Sequence, residues 1–208
     1  MRSPLPGKRI KLLDGNCTEK SQHRIKETRG VAAGPLPGKS LVVYDPALRL
    51  PIDVFPCEDG HAQERSLLPA VYQSIETNDV WIADRNFCIV EFTCKISCKD
   101  AFFIIREHKK YPWEPLGKEK SIGKTDTGTV YEQPILVRDH SGQEYKFRRI
   151  RIHLKKQTRD GDTDIFIISN LSKRSANARK IAELYRDRWT IETAFQHLAE
   201  HLNSEINT

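Results

Sequence analysis

The run DVWIAD, residues Asp79 to Asp84, restricts the fold of this chain more than any other stretch. Val80 to Ala83 are apolar without a break, so the run has no water-facing side. A strand exposed on one face would alternate; an unbroken apolar run is how a buried central strand reads. The run ends on Asp84, and ends of central strands are where open α/β folds present their ligands.

The flanking sequence supplies the rest of such a sheet. KRIKLLDGN predicts a short strand, Ile10 to Leu13, ending on Asp14 at a turn that carries Gly15 and Asn16. The polar, glycine-rich stretch that follows reads as a loop. SLVVYD (Ser40 to Asp45) and LPIDVFP (Leu50 to Pro56) are joined by PALR at hairpin spacing. Ala62, Leu67, Leu68, Val71 and Ile75 approach a helical period, which Pro69 bends or restarts. RNFCIVEFTCKI predicts a short helix after Asp84, and AFFIIRE (Ala101 to Glu107) and DIFIISN (Asp164 to Asn170) predict two more strands. The last helix is expected from about Ser175 to Leu202, with Ser175 as its N-cap. Strands and helices in this order make a mixed α/β sheet with helices packed on it.

Composition narrows the function classes. With 208 residues the chain suits one domain, or one with an inserted subdomain. A net charge of +6 makes polyanionic partners plausible without establishing them. No stretch has the length of a membrane span, and the N-terminus lacks the apolar core of a secretory signal. The five cysteines include no C-x-x-C pair, which favours reduced thiols in a cytosolic compartment, and Cys94 and Cys98 read as packing residues.

LYRDRWTIETAF, residues Leu184 to Phe195, departs from the usual helix pattern. At about 100° per residue, Leu184, Ile191, Phe195, Leu198 and Leu202 stack into an apolar seam, while Tyr185, Arg188 and Glu192 fall beside it rather than opposite. By spacing alone, Arg188 and Glu192 fit a surface ion pair, four residues apart. Three acids nevertheless occupy comparable places. Asp14 and Asp84 stand where strands give out, and Glu192 stands on the flank of the last helix. Singly they read as a turn former, a helix cap and an ion-pair partner. Gathered, they would repel one another unless a cation neutralised them, and a hard divalent ion such as Mg²⁺ or Mn²⁺ suits oxygen donors. Two such ions could activate a hydroxyl and stabilise a leaving oxygen on phosphorus.

These residues resemble a known family. LYRDRWTIETAF is similar to the C-terminal motif of DDE transposases of bacterial insertion sequences, in the large family numbered four, whose pattern is Tyr, two residues, Arg, three residues, Glu, six residues, Lys. Tyr185, Arg188 and Glu192 match by identity and spacing; LLDGN resembles the first aspartate block and WIADRNF the second. The lysine position holds Ala199. The resemblance implies an RNase H-like fold over 1–208, with a β-rich basic insertion at 108–163. It implies that Asp14, Asp84 and Glu192 hold two Mg²⁺ ions (Mn²⁺ as substitute) and are catalytic, and that Tyr185 and Arg188 contact DNA. The expected activity is cut-and-paste transposition, with hydrolytic nicking at transposon ends and strand transfer by the freed 3′-hydroxyl. The expected partners are transposon-end and target DNA and a second copy on paired ends, in the bacterial cytoplasm at the nucleoid, with no membrane and no small-molecule cofactor. Family members usually carry an N-terminal DNA-binding region and a C-terminal extension, so the chain is expected to be a clipped core. The alternative is an impaired remnant that binds DNA or a full-length partner without turnover.

Three further features remain. In FRRIRIHLKK, Ile150, Ile152 and Leu154 alternate with Arg149, Arg151, His153 and Lys155, giving a strand with one basic face. Arg149, Arg151 and Lys155 are therefore DNA-binding candidates, although an edge strand also uses charge against aggregation. His61, Glu64 and Arg65 form another polar cluster, expected to shape a helix start under the hairpin, with a role near the metal site as the weaker alternative. HLAEH (His197 to His201) fits an inverted zinc-protease motif, but too few residues follow it for the third ligand.

Overall fold

The computed structural model describes residues 4–17, 39–57, 64–158, 161–188, 191 and 193. Its elements are β1 (Arg9–Cys17), β2 (Lys39–Asp45), β3 (Leu50–Pro56), α1 (Leu68–Val71), β4 (Asp79–Ala83), α2 (Val90–Cys98) and β5 (Phe102–Arg106), followed by β6 (Glu114–Pro115), β7 (Lys120–Lys124), β8 (Gly128–Arg138), β9 (Glu144–Leu154), β10 (Asp164–Ser169) and α3 (Ala178–Arg186).

All strands join one ten-stranded sheet in the order β3-β2-β1-β4-β5-β10-β9-β8-β6, with β7 paired to β8. β4 runs parallel to β1 and β5, and the other pairs are antiparallel. Every residue of β4 is buried, as its unbroken apolar run requires. Alternation sorts neighbouring side chains to opposite faces. Leu13, Trp81, Ala83, Phe103 and Ile105 pack with Leu68 and Val71 of α1 and Phe92 and Ile96 of α2. Leu12, Val80, Ile82, Ile104 and Ile167 pack on the other face with Ile181, Leu184 and Tyr185 of α3. The fold is thus the expected mixed α/β, RNase H-like arrangement, a largely antiparallel sheet with helices on it.

Several local expectations change. β1 does not end at Leu13; Asp14 to Cys17 continue it, paired antiparallel with Val42 to Lys39 of β2. Its parallel pairing with β4 does stop at Leu13 opposite Ala83, so Asp14 is the first residue beyond that ladder. Around Pro69 the helical stretch breaks into a 3₁₀ turn (Glu64–Leu67), α1, with the proline in its first turn, and a second 3₁₀ turn (Tyr72–Ser74). The cap of α3 is Asn177, not Ser175: its side-chain oxygen accepts the Lys180 N–H at 2.8 Å. Ser175 is held in the preceding turn, where its N–H donates to the Ser172 carbonyl and its hydroxyl meets that of Ser172. The strands of the 108–163 stretch extend the main sheet, with β9 bonded along β10 and β8 along β9.

The described cysteines are free thiols; Cys57, Cys88 and Cys94 are buried and Cys98 is exposed. Burial pushes the Cys88 and Cys94 thiols up to about 12, which leaves them protonated and suited to packing. Among the described residues no helix is long and apolar enough to cross a membrane.

Candidate active site

The parallel register of β1 and β4 sets the site. Leu13 lies opposite Ala83, so the next residues of the two strands are Asp14 and Asp84. Asp14 shares the parity of Leu12, and Asp84, still extended at φ −80° and ψ 179°, shares that of Ile82. Leu12 and Ile82 both face α3. Both carboxylates therefore leave the sheet toward α3, at the carboxyl end of a parallel strand pair.

The turn that follows α3 brings the counter-charge. Phe195, Leu198 and Leu202 of the apolar seam lie outside the described residues, while Leu184 and Ile191 are buried with Ile181 against the sheet. Tyr185 is buried beside them, and Arg188 lies one turn past Leu184. The Arg188 Nη1 donates to Asp14 Oδ2 at 2.9 Å, with the two side chains only 12% and 15% exposed. Asp14 Oδ1 accepts the Gly15 N–H at 3.0 Å. Burial raises the Tyr185 hydroxyl above its usual value; the Arg188 and Arg106 cations oppose the rise and Asp84 adds to it. Tyr185 thus lies within electrostatic reach of Arg188 and Asp84, and Arg188 in turn holds Asp14. Glu192 lies outside the described residues, as do His197, Ala199 and His201; helical residues 191 and 193 flank it.

Asp84 is also held from the sheet side. Its Oδ1 accepts the Asn86 N–H at 2.8 Å, capping the 3₁₀ turn Arg85–Phe87. The Asn86 side-chain amide donates to Glu64 Oε2 at 2.7 Å, and Arg65 Nε donates to Asn86 Oδ1 at 3.1 Å and to the Asn86 carbonyl. The Glu64 carboxylate rests against Gly15: a Cβ there would lie 2.0 Å from Glu64 Oε1. Glu64 and Arg65 therefore contact Asn86 and Gly15, the neighbours of the two aspartates, as the weaker alternative of a role near the site had it; His61 lies outside the described residues. Asn86 and Arg106 carried no signal in the sequence.

Hard oxygen donors side by side suit a divalent cation, and the cationic Arg188 already neutralises one of them. Among the described residues Asp14 and Asp84 have no third His, Cys, Asp or Glu gathered with them at metal-binding range.

The basic face of β9 is engaged within the protein. Arg149 donates to Glu107 at 2.6 Å and lies over the rings of Trp113 and Phe166. Arg151 is bonded to Glu119 and, at 3.1 Å, to Asp164, and lies 4.0 Å from the Tyr131 ring centroid. Trp113 Nε1 donates to the same Glu107, so this ring anchors its loop. Lys155 is exposed and borders a cavity of about 350 Å³ that Lys156, Tyr185 and Arg186 also line. Of the five candidate DNA contacts, Tyr185 and Arg188 join the aspartates, Arg149 and Arg151 are ion-paired elsewhere, and Lys155 is open.

The site thus sets an aspartate pair past the parallel ladder of an RNase H-like sheet against Tyr185 of α3 and Arg188 just beyond it. The family described as Transposase DDE domain matches residues 16–207, and this chain belongs to that family. The matched span includes Asp84, Tyr185, Arg188 and Glu192, and begins just past Asp14. The chain is also 28% identical over 170 residues to "Putative transposase y4zB" of Sinorhizobium fredii (strain NBRC 101917 / NGR234), covering 79% of this chain. It spans 44% of that relative's length.

Proposed function

We propose that this chain is the catalytic core of an insertion-sequence transposase of the Tyr-Arg-Glu-Lys subgroup, in the family numbered four. Asp14 and Asp84 would hold divalent ions, Mg²⁺ or Mn²⁺, with Glu192 as the third carboxylate. When bound, such a pair of ions activates a hydroxyl and stabilises the leaving oxygen of an in-line displacement on phosphorus. The chain's own residues do the rest. Arg188, just past α3, supplies a planar cation suited to a phosphate. The buried Tyr185 hydroxyl stays protonated and can donate to a phosphate oxygen. The seam of α3 fixes both to the sheet that carries the aspartates, so phosphate and carboxylates are oriented by one rigid contact.

On this reading water attacks at the transposon end, and the freed 3′-hydroxyl then attacks target DNA. Two copies would act on paired ends in the bacterial nucleoid. The 108–163 stretch would be the insertion characteristic of the subgroup, with Lys155 at its open basic edge.

The observation that carries the proposal is the convergence of Asp14, Asp84, Tyr185 and Arg188 at one strand-helix junction. The test is Mn²⁺-dependent nicking of a labelled transposon-end duplex by the purified chain, with Asp84→Asn as control. Nicking that survives Asp84→Asn would sink it. DNA binding without nicking in either protein favours a remnant that binds without turnover, a reading that Ala199 at the lysine position supports.

A further inference from the structure

We propose that Asn86, braced by Glu64 and Arg65, is a positioning residue that sets the Asp84 carboxylate for its cation, a role that rests on the metal-binding reading above. Asp84 follows the last residue of β4, so no sheet hydrogen bond orients it. Its orientation comes from the Asn86 N–H, which its Oδ1 accepts at 2.8 Å. That N–H points where it does only if the 3₁₀ turn Arg85–Phe87 is held in place, and the Asn86 side chain is held at both ends. Its amide nitrogen faces a carboxylate, Glu64 Oε2, at 2.7 Å, and its amide oxygen faces a guanidinium, Arg65 Nε, at 3.1 Å. A donor before an acid and an acceptor before a base leave one orientation of the amide. The Arg65 contact to the Asn86 carbonyl fastens the backbone of the same residue.

Gly15 ties this brace to the other aspartate. The Glu64 carboxylate fits against β1 because residue 15 lacks a side chain; an added methyl would meet it at 2.0 Å. By strand alternation Gly15 faces away from Asp14, so Glu64 braces the pair from behind the ladder while the carboxylates face α3. Glu64 therefore acts through Asn86 and is not a ligand.

Partners that orient metal ligands typically change affinity about 10- to 100-fold when removed. The test is Mn²⁺ binding to the full chain, read from the free-ion electron paramagnetic resonance signal without DNA. Asn86→Asp, which sets a carboxylate against Glu64, and Glu64→Ala should weaken binding at least about 10-fold. Glu64→Gln, whose amide oxygen can still accept from Asn86, should remain within about 3-fold of the parent, whereas a ligand role would make it as damaging as Glu64→Ala. Gly15→Ala displaces the Glu64 carboxylate without deleting a polar group and should match Glu64→Ala, which keeps the test alive if Asn86→Asp does not fold. Parental affinity in Asn86→Asp, Glu64→Ala and Gly15→Ala, with binding lost in Asp84→Asn, would overturn the brace and leave the metal site standing. Parental affinity in Asp84→Asn would overturn the metal site and the brace together.

Discussion

Arg188 and Asp14 are 174 residues apart in the chain, yet the arginine Nη1 lies 2.9 Å from the aspartate Oδ2 in a contact mostly shielded from water. The pair fastens the turn after α3 to β1, just past its parallel ladder with β4. It also places a cation on a carboxylate otherwise suited to a metal ion. Removing one partner of a shielded pair leaves the other charge uncompensated, which costs about 3–5 kcal/mol when burial is complete. With partial exposure, Arg188→Ala should cost about 2 kcal/mol by urea unfolding in chelator. Adding Mn²⁺ should recover part of that loss, because the ion then neutralises Asp14. An equal deficit with and without Mn²⁺ would mean that Asp14 does not take the ion.

A second charged pair lies toward the other end of the same strands. Lys11 and Asp79 are 3% and 2% exposed and 2.7 Å apart, and Lys11 also donates to the Ser74 carbonyl. Nothing in this pair approaches Asp14 or Asp84, so it is expected to support folding alone. Asp79→Ala should lower stability by about 3–5 kcal/mol. Any variant protein that remains folded in the cold should bind Mn²⁺ like the parent. Weakened metal binding in folded Asp79→Ala would show that the two ends of β4 are coupled.

Acid should unfold the domain through carboxylates held by arginines and backbone N–H groups. Asp45 is lowered despite its burial, by the Arg9 guanidinium and the N–H groups of Leu48 and Ala47; Glu119 is lowered chiefly by Arg151. A folded-state value below the unfolded one gives stability that is complete above the ordinary carboxylate range, about pH 4, and lost as pH falls through the folded value. Tm should therefore drop between about pH 5 and about pH 3, and Asp45→Asn should flatten that drop while lowering Tm at neutral pH. A parallel pair of Tm curves would remove Asp45 as a contributor.

The sheet was legible in sequence wherever apolar periodicity decided it: the DVWIAD strand, the hairpin around PALR, and the seam of the last helix. Asp84 was legible as a strand-end acid, and Asp14 as the residue at which the apolar run stops, which is where the parallel ladder of β1 and β4 ends. The continuation of β1 through Asp14-Gly15 was not, because its pairing with β2 is a backbone contact to residues distant in the chain. The brace from Glu64 to Asn86 was equally hidden: it depends on a glycine elsewhere making room. The partners of the basic strand were hidden for a related reason. Alternation showed that Arg149 and Arg151 share a face, but their acids, Glu107, Glu119 and Asp164, come from other elements, and no local pattern marks them.

That difference gives a test of which cations reach DNA. A cation that replaces a condensed counterion contributes about 0.9 to the slope of log affinity against log salt on duplex DNA. Arg149 and Arg151 already face carboxylates, so neutralising either removes one charge from a pair rather than an open phosphate contact. Lys155 is exposed, beside the cavity that reaches Tyr185. Lys155→Gln should lower the slope by about one unit and weaken binding across all sequences, whereas Arg149→Gln should leave the slope unchanged. Glu119→Gln should do the opposite of Lys155→Gln, because it frees Arg151 of one of its two carboxylates and strengthens binding at low salt. The measurement is a salt titration of duplex affinity for the four proteins. If Arg149→Gln and Lys155→Gln lower the slope alike, the ion pairs of β9 open on DNA and the whole strand face is an interface.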